Sequence, residues 1–151
     1  MGESQRGGEF RCFRLTATRQ QLILPIELSH FAGGGEALEP AEVARLVVEV
    51  ASDKQAENIV MLDVRQVTNF ADYFIIMSAG SSPQIEALEE DITQALKEAQ
   101  VRRFHREGSP ASGWSLLDFS DVIVHIFGSE KREFYGLEGL WSRAPQVVRV
   151  L

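Results

Sequence analysis

Apolar positions return along this chain with two different periods, and each change of period marks an element. Val43, Leu46, Val47, Val50 and Ala51 recur every three to four residues, the spacing of one helix face. Glu39-Pro40 opens that helix, because proline suits the first helical position, and the pattern lapses at Asp53-Lys54. Ile59 to Val64 is a short continuous apolar run, as is Asp72 to Ser78, with the polar stretch Gln66 to Ala71 between them. Both predict buried strands. Gly80-Ser81-Ser82-Pro83 supplies a turn, a serine cap and an N-terminal proline for a second helix. Its buried stripe is Ile85, Leu88, Ile92, Ala95, Leu96 and Ala99, while Glu86, Glu89, Glu90 and Asp91 load its first half with acid, complementing the helix dipole.

The densest apolar material follows. Val101 to His105 predicts a third strand, and the loop Gly108 to Gly113 leads into Trp114-Ser115-Leu116-Leu117-Asp118-Phe119-Ser120-Asp121-Val122-Ile123-Val124-His125-Ile126-Phe127. Two apolar runs joined by the tight turn Asp118-Phe119-Ser120-Asp121 predict a hairpin. Residues 130–141 predict a final short helix or two. The order α-β-β-α-β-β-β-α predicts a single α/β domain, one mixed sheet with helices packed on it. The domain is expected over 39–145, with residues 146–151 as a C-terminal tail. Residues 1–38 read as a loosely attached extension, since they lack periodicity and run into Gly33-Gly34-Gly35. Four arginines there (Arg6, Arg11, Arg14, Arg19) hint at a transit sequence, but Glu3, Glu9 and Glu27 count against it.

Charge and cysteine usage narrow the function classes. At 151 residues the chain suffices for one domain with a real core. A net charge of −7 argues against a broad nucleic-acid face, which needs a basic patch, and suits a basic protein partner. The lone Cys12 can form neither an internal disulfide nor a thiolate metal site, which fits a reducing cytosol. No apolar run approaches the roughly 20 residues of a membrane span.

Candidate chemistry is thin. Gly80-Ser81-Ser82 could cradle an anion between strand and helix, but a P-loop needs a following Lys-Ser/Thr pair that is absent; an ordinary turn and cap is preferred. Asp118 and Asp121 are three apart and flank a turn, whereas carboxylates sharing a metal from one strand stand two apart. His125 shares a sheet face with Ile123 and Phe127, without an orienting partner for general-base work; a buried, hydrogen-bonded histidine is the expectation. Trp114 and Phe119 lie at hairpin ends, where core and interface roles are equally open. Phe134 and Trp141, within a helix, are expected in the core. Aromatic weight without reactive groups suggests a surface built to be bound.

From about Glu42 to Trp141 the chain resembles the ribosomal silencing factor, or Iojap, family. The matching pieces are Ile59 to Val64, Ala71 to Ile76, Gly80 with Ser82, Trp114 to His125, and Arg132-Glu133-Phe134-Tyr135-Gly136-Leu137-Glu138-Gly139-Leu140-Trp141. The resemblance implies a nucleotidyltransferase-like α/β fold whose members bind rather than catalyse, with no cofactor and no metal. It implies docking on the large ribosomal subunit, chiefly its protein numbered fourteen, which blocks subunit joining and represses translation when nutrients run short. A cytoplasmic, bacterial setting follows, and organelle relatives assist large-subunit assembly. By the same match Trp114, Leu116, Asp118, Phe119, Asp121 and Tyr135 are expected at the contact. Phe119 stands where the family usually has tyrosine and Ser120 where it usually has glycine, a residue better suited to positive φ.

Two other readings remain. A homodimer through the hairpin would compete with the ribosomal partner. An active nucleotidyltransferase would carry Gly-Ser at a helix start, as Gly80-Ser81 does, then carboxylates two apart on the next strand to hold magnesium. Val101-Arg102-Arg103-Phe104-His105-Arg106 offers none, and phosphoryl transfer depends on that metal.

Overall fold

The computed structural model describes residues 37–151; nearly all of the extension expected over 1–38 lies outside the described residues. Helix α1 (Pro40–Asp53) begins where proline predicts, with the Glu39 N–H donating to the Glu42 carboxylate at 2.9 Å. Strands β1 (Glu57–Asp63) and β2 (Tyr73–Ala79) follow. Helix α2 (Ser82–Glu98) is capped by Ser81, whose hydroxyl accepts from the Gln84 N–H at 3.3 Å. Then come β3 (His105–Ser109), a 3₁₀ turn at Pro110–Ser112, β4 (Trp114–Asp118) and β5 (Val122–Gly128). Helices α3 (Ser129–Tyr135) and α4 (Leu137–Leu140) and strand β6 (Gln146–Val150) complete the chain.

The strands form one sheet in the order β3-β4-β5-β2-β1-β6. Only the central pair β2–β5 is parallel, Ile75 standing opposite Val124; the other neighbours run antiparallel. Strand side chains alternate between faces, so the register sorts the apolar residues into two layers. Ile59, Met61, Ile75, Met77, Leu117, Val124 and Ile126 meet α1 and α2 through Val43, Val47, Ile85, Leu88, Ile92 and Leu96. Each of these large side chains contributes about 1.5–3 kcal/mol by leaving water. The opposite layer gathers Val60, Leu62, Phe74, Ile76 and Phe127 under Trp114, Ile123, Leu137 and Trp141.

Two polar anchors hold the periphery. On the helix side, Glu89 of α2 is buried and receives two hydrogen bonds from Arg106 of β3, at 2.6 and 2.8 Å, and one from the Ser115 hydroxyl. Burial works against its charge, but Arg106 and Ser115 outweigh it and hold the carboxyl below the usual range. On the other side, the buried guanidinium of Arg132 donates to the Asn58 carbonyl at 2.6 Å, the Ser78 hydroxyl at 2.9 Å and the Glu138 carboxylate at 2.7 Å. It ties α3 and α4 to the ends of β1 and β2.

Three expectations need correction. The third strand starts at His105, not Val101. It is an edge strand of exposed polar residues recruited by backbone pairing with β4, and apolar patterning does not register such a strand. The supposed tail contains β6, paired antiparallel to β1, with Val148 and Val150 half-buried against the helix-side core. Phe134, expected in the core, is 77% exposed, because the seven-residue α3 is too short to bury more than one side.

The hairpin turn runs through a strained residue. Ser120 has φ 76°, with its N–H donating to Asp118 Oδ1 at 2.8 Å, and a left-handed L-residue costs roughly 1–2 kcal/mol. Since glycine also loses more chain entropy on folding, Ser120→Gly is expected to raise stability by about 0.5–1 kcal/mol in urea titration. Gly108 has φ 77°, and a Cβ there would collide with the Trp114 carbonyl oxygen. Gly108→Ala is therefore expected to lower stability by more than about 1 kcal/mol. A stabilised Gly108→Ala, or an unchanged Ser120→Gly, would refute this account of the two turns.

Candidate protein-binding face

Strand β4 shows how the sheet presents its two sides. Ser115 and Leu117 are fully buried beneath the helices, while Trp114, Leu116 and Asp118 point the other way and stay half-exposed. In register with them on β5 stand Phe127, His125 and Ile123, and beyond those, on β2, Ser78, Ile76 and Phe74. The short helices α3 and α4 cover only part of this layer. Trp141 seats edge-on against Phe74 with centroids 5.1 Å apart, and Tyr135 lies 5.7 Å from Trp114 and 5.8 Å from Phe127. The β4–β5 end is left open, with Leu116 and Ile123 half-buried beside Trp114. Around it Phe70, Phe134 and Tyr135 are 58%, 77% and 46% exposed.

His125 sits at the centre of these rings. Its imidazole is parallel to Phe127 at 5.8 Å and to Trp114 at 6.4 Å, and edge-on to Phe74 at 5.9 Å. The Trp114 Nε1–H donates to His125 Nδ1 at 3.3 Å. An indole N–H can only donate, so that bond requires an unprotonated Nδ1. Burial pushes the His125 pKa down to about 4, in keeping with a neutral ring. The sequence expectation of a buried, hydrogen-bonded strand histidine describes it well.

The residues expected at the contact divide into two groups. Trp114, Leu116, Asp118 and Tyr135 converge on the open layer. Phe119 does not: it is 5% exposed and belongs to the helix-side core with Val43 and Val122. Its N–H and the Val122 carbonyl close the turn at 2.9 Å, which swings its ring under α1. Phe119 therefore offers a partner almost nothing. Asp121 is exposed but lines a small cleft of about 190 Å³ with Phe119, Leu38 and Pro40, away from Leu116; its carbonyl accepts from the Asp72 and Tyr73 N–H groups. Ile123 and Phe70 were missed. Two-residue alternation puts Ile123 on the face of His125 and Phe127 without assigning it to a contact; Phe70 gives no signal beyond its hydrophobicity.

Reactive chemistry finds little footing. Asp118 is committed to the turn through the Ser120 N–H. The actual strand after α2 does carry one carboxylate, Glu107, which the shifted strand prediction left out; it lies 3.1 Å from His105 Nε2 and has no second acid two residues away. Among the described residues no group of three or more His, Cys, Asp or Glu side chains could hold a metal ion. Gly80 and Ser81 act as an ordinary cap, with the Gly80 N–H donating to Gln84 Oε1 at 2.7 Å.

A family model described as ribosomal silencing factor during starvation matches residues 37–150. The chain is 34% identical to the ribosomal silencing factor of Halalkalibacterium halodurans over 106 residues, 70% of this chain and 91% of that protein. It is 34% identical to that of Bacillus subtilis over 103 residues, 68% and 87% of the two chains. The chloroplastic protein Iojap of Zea mays is 34% identical over 115 residues, 74% of this chain and 50% of that protein. A crystal structure of a Chromobacterium violaceum protein superposes with a TM-score of 0.67 at 29% identity, covering 76% of this chain and 94% of that one.

The depressed histidine has a measurable consequence. Between pH 6.5 and 4 the unfolded chain protonates His125 while the folded chain does not, so stability falls as pH falls through that window. With the unfolded value near 6.5, the loss reaches about 2 kcal/mol at pH 5. Urea titrations at pH 7 and pH 5 should show that loss, and His125→Leu should flatten it. An equal loss in the variant would assign the pH dependence to other groups.

Proposed function

The chain belongs to the ribosomal silencing factor family, and from that premise we propose that it docks on the large ribosomal subunit and sterically blocks subunit joining, repressing translation under nutrient limitation. The observation that carries the reading is the half-covered aromatic layer: an apolar platform of Trp114, Leu116 and Ile123 with Tyr135 at its edge and Asp118 at its rim. Tryptophan and tyrosine are the side chains that most often dominate binding energy at an interface. A contact of about 800 Å² on this side is of standard size. The partner in this reading is the large-subunit protein numbered fourteen. A basic ribosomal protein complements a chain of net charge −7, mainly by steering encounter. Contact residues are Trp114, Leu116, Asp118 and Tyr135, with Ile123 added and Phe119 withdrawn.

Such a factor needs only occupancy. A nanomolar complex, at about −12 kcal/mol, holds off a competing subunit without hydrolysing anything, and we take the protein to be a binding factor rather than an enzyme. Its relatives bear the names of silencing factors, not of enzymes. The setting proposed is the bacterial cytoplasm; the similarity to chloroplastic Iojap makes an organelle the alternative. A homodimer through the same platform would hide it, so a silent pool of dimer would compete with ribosome binding.

Sucrose-gradient sedimentation with purified subunits tests this directly. The wild-type chain is expected to travel with the large subunit and to lower the yield of joined ribosomes. Trp114→Ala is expected to weaken binding by about 2 kcal/mol, some 30-fold. Leu116→Glu changes a half-exposed residue, spares the fold by circular dichroism, and is expected to lose co-sedimentation. A wild-type protein that stays at the top of the gradient and leaves joining untouched ends the proposal.

A further inference from the structure

A recess of about 490 Å³ opens where α2 hands over to β3, lined by Thr93, Lys97, Gln100, Val101, Arg102 and Arg103. Its charged lining is wholly cationic, in a chain whose net charge is −7. Cations elsewhere on the described chain are engaged: Arg106 binds Glu89, Arg132 binds Glu138, Arg65 binds Asp63 and Lys54 binds Asp91. Among the described residues, Lys97, Arg102 and Arg103 reach no carboxylate within 4 Å. Glu89 also feels Arg103, but its carboxylate is bonded to Arg106 and Ser115, while Glu107 faces His105 and Glu98 accepts from Gln94. Immediately beyond, Phe104 is 76% exposed, and its N–H donates to the Asp118 carbonyl at 2.7 Å. An exposed ring is thus pinned by its backbone next to two guanidinium groups that make no ion pair within 4 Å.

Free guanidinium groups beside a flat exposed ring fit a specific chemistry. A guanidinium grips phosphate oxygens with paired hydrogen bonds, and an aromatic ring offers a platform on which an unstacked base can lie. We propose that the Lys97–Arg102–Arg103 recess takes backbone phosphate of a looped or single-stranded RNA segment, with a base of that segment stacked on Phe104. The proposal rests on the docking reading above and extends it: the RNA is that of the large subunit, beside the protein bound by the Trp114–Leu116 platform. Placement supports the pairing. Phe104 is hydrogen-bonded to the last residue of β4, whose outward side chains Trp114, Leu116 and Asp118 form the platform. The recess lies on the α2 side of the sheet and the platform on the other, and the two come closest at the end of β4, where Phe104 meets Asp118. A net charge of −7 fits an RNA contact of this local kind better than a broad basic face.

The test is a titration of purified large subunits with the full chain across a potassium chloride series, with ultraviolet cross-linking of each complex. Arg102→Ala/Arg103→Ala is expected to bind about tenfold more weakly. Its slope of log K against log salt should be shallower by about 1–2, because each phosphate contact contributes roughly 0.7–0.9 to that slope. Phe104→Ala is expected to lose about fivefold in affinity and the protein–RNA cross-link while keeping the wild-type slope. All three residues are exposed, so folded variants are expected, and circular dichroism verifies them. An unchanged slope in the double variant overturns the phosphate contact while leaving platform docking intact. A shallower slope with cross-links to protein alone replaces RNA by an acidic protein segment and overturns the proposal equally. A wild type that binds no subunit at any salt removes the docking reading, and this proposal with it.

Discussion

Everything in this molecule follows from two parallel strands that need cover on both faces. β2 is buried at every position and β5 at all but two, so neither tolerates a wet side. The 14-residue α1 and the 17-residue α2 seal one face completely. The other face is left to two helices of 7 and 4 residues, which reach Phe74 and Phe127 but stop short of Leu116 and Ile123. The open platform is thus the remainder of an incomplete covering, and its position is set by where α3 and α4 end.

That partial cover is held in place by polar groups. Arg132 is buried with three oxygen partners, and a buried charge is tolerable only when it is fully bonded. Losing any one partner would loosen both short helices, and with them the seats of Tyr135 and Trp141. The Glu89–Arg106–Ser115 cluster does the same for the far edge, fastening β3 and β4 to α2. One anchor stands on each face of the sheet, Arg132 beside the open layer and Glu89 beneath the helices.

His125 links the core to the platform. Its ring is part of the buried sheet, yet its Nδ1 holds the Trp114 indole. Trp114 is therefore pre-oriented before any partner arrives, and a pre-oriented side chain loses less rotamer freedom on binding. A neutral histidine suits this role because its neighbours are rings and aliphatic chains, which disfavour its charge.

Much of this was legible in the amino-acid pattern. Helical spacing located α1 and α2, proline and serine marked their starts, and the hairpin was readable from Trp114-to-Phe127 alternation, because burial imposes those periods directly. The family resemblance rested on contiguous residues that need no tertiary information. What the pattern could not determine was pairing without burial: β3 and β6 are edge strands held by backbone hydrogen bonds, which most proline-free sequences can make. Nor could it decide which hairpin aromatic faces outward. Trp114 and Phe119 are alike in type and five residues apart, an odd number that should place them on opposite faces of a regular strand. They do stand on opposite faces, and it was the helices covering Phe119's face that put Phe119 in the core and left Trp114 half in water. Side-chain chemistry fixed which residues were able to bind a partner; only the closing of the sheet against its helices settled which of them are free to.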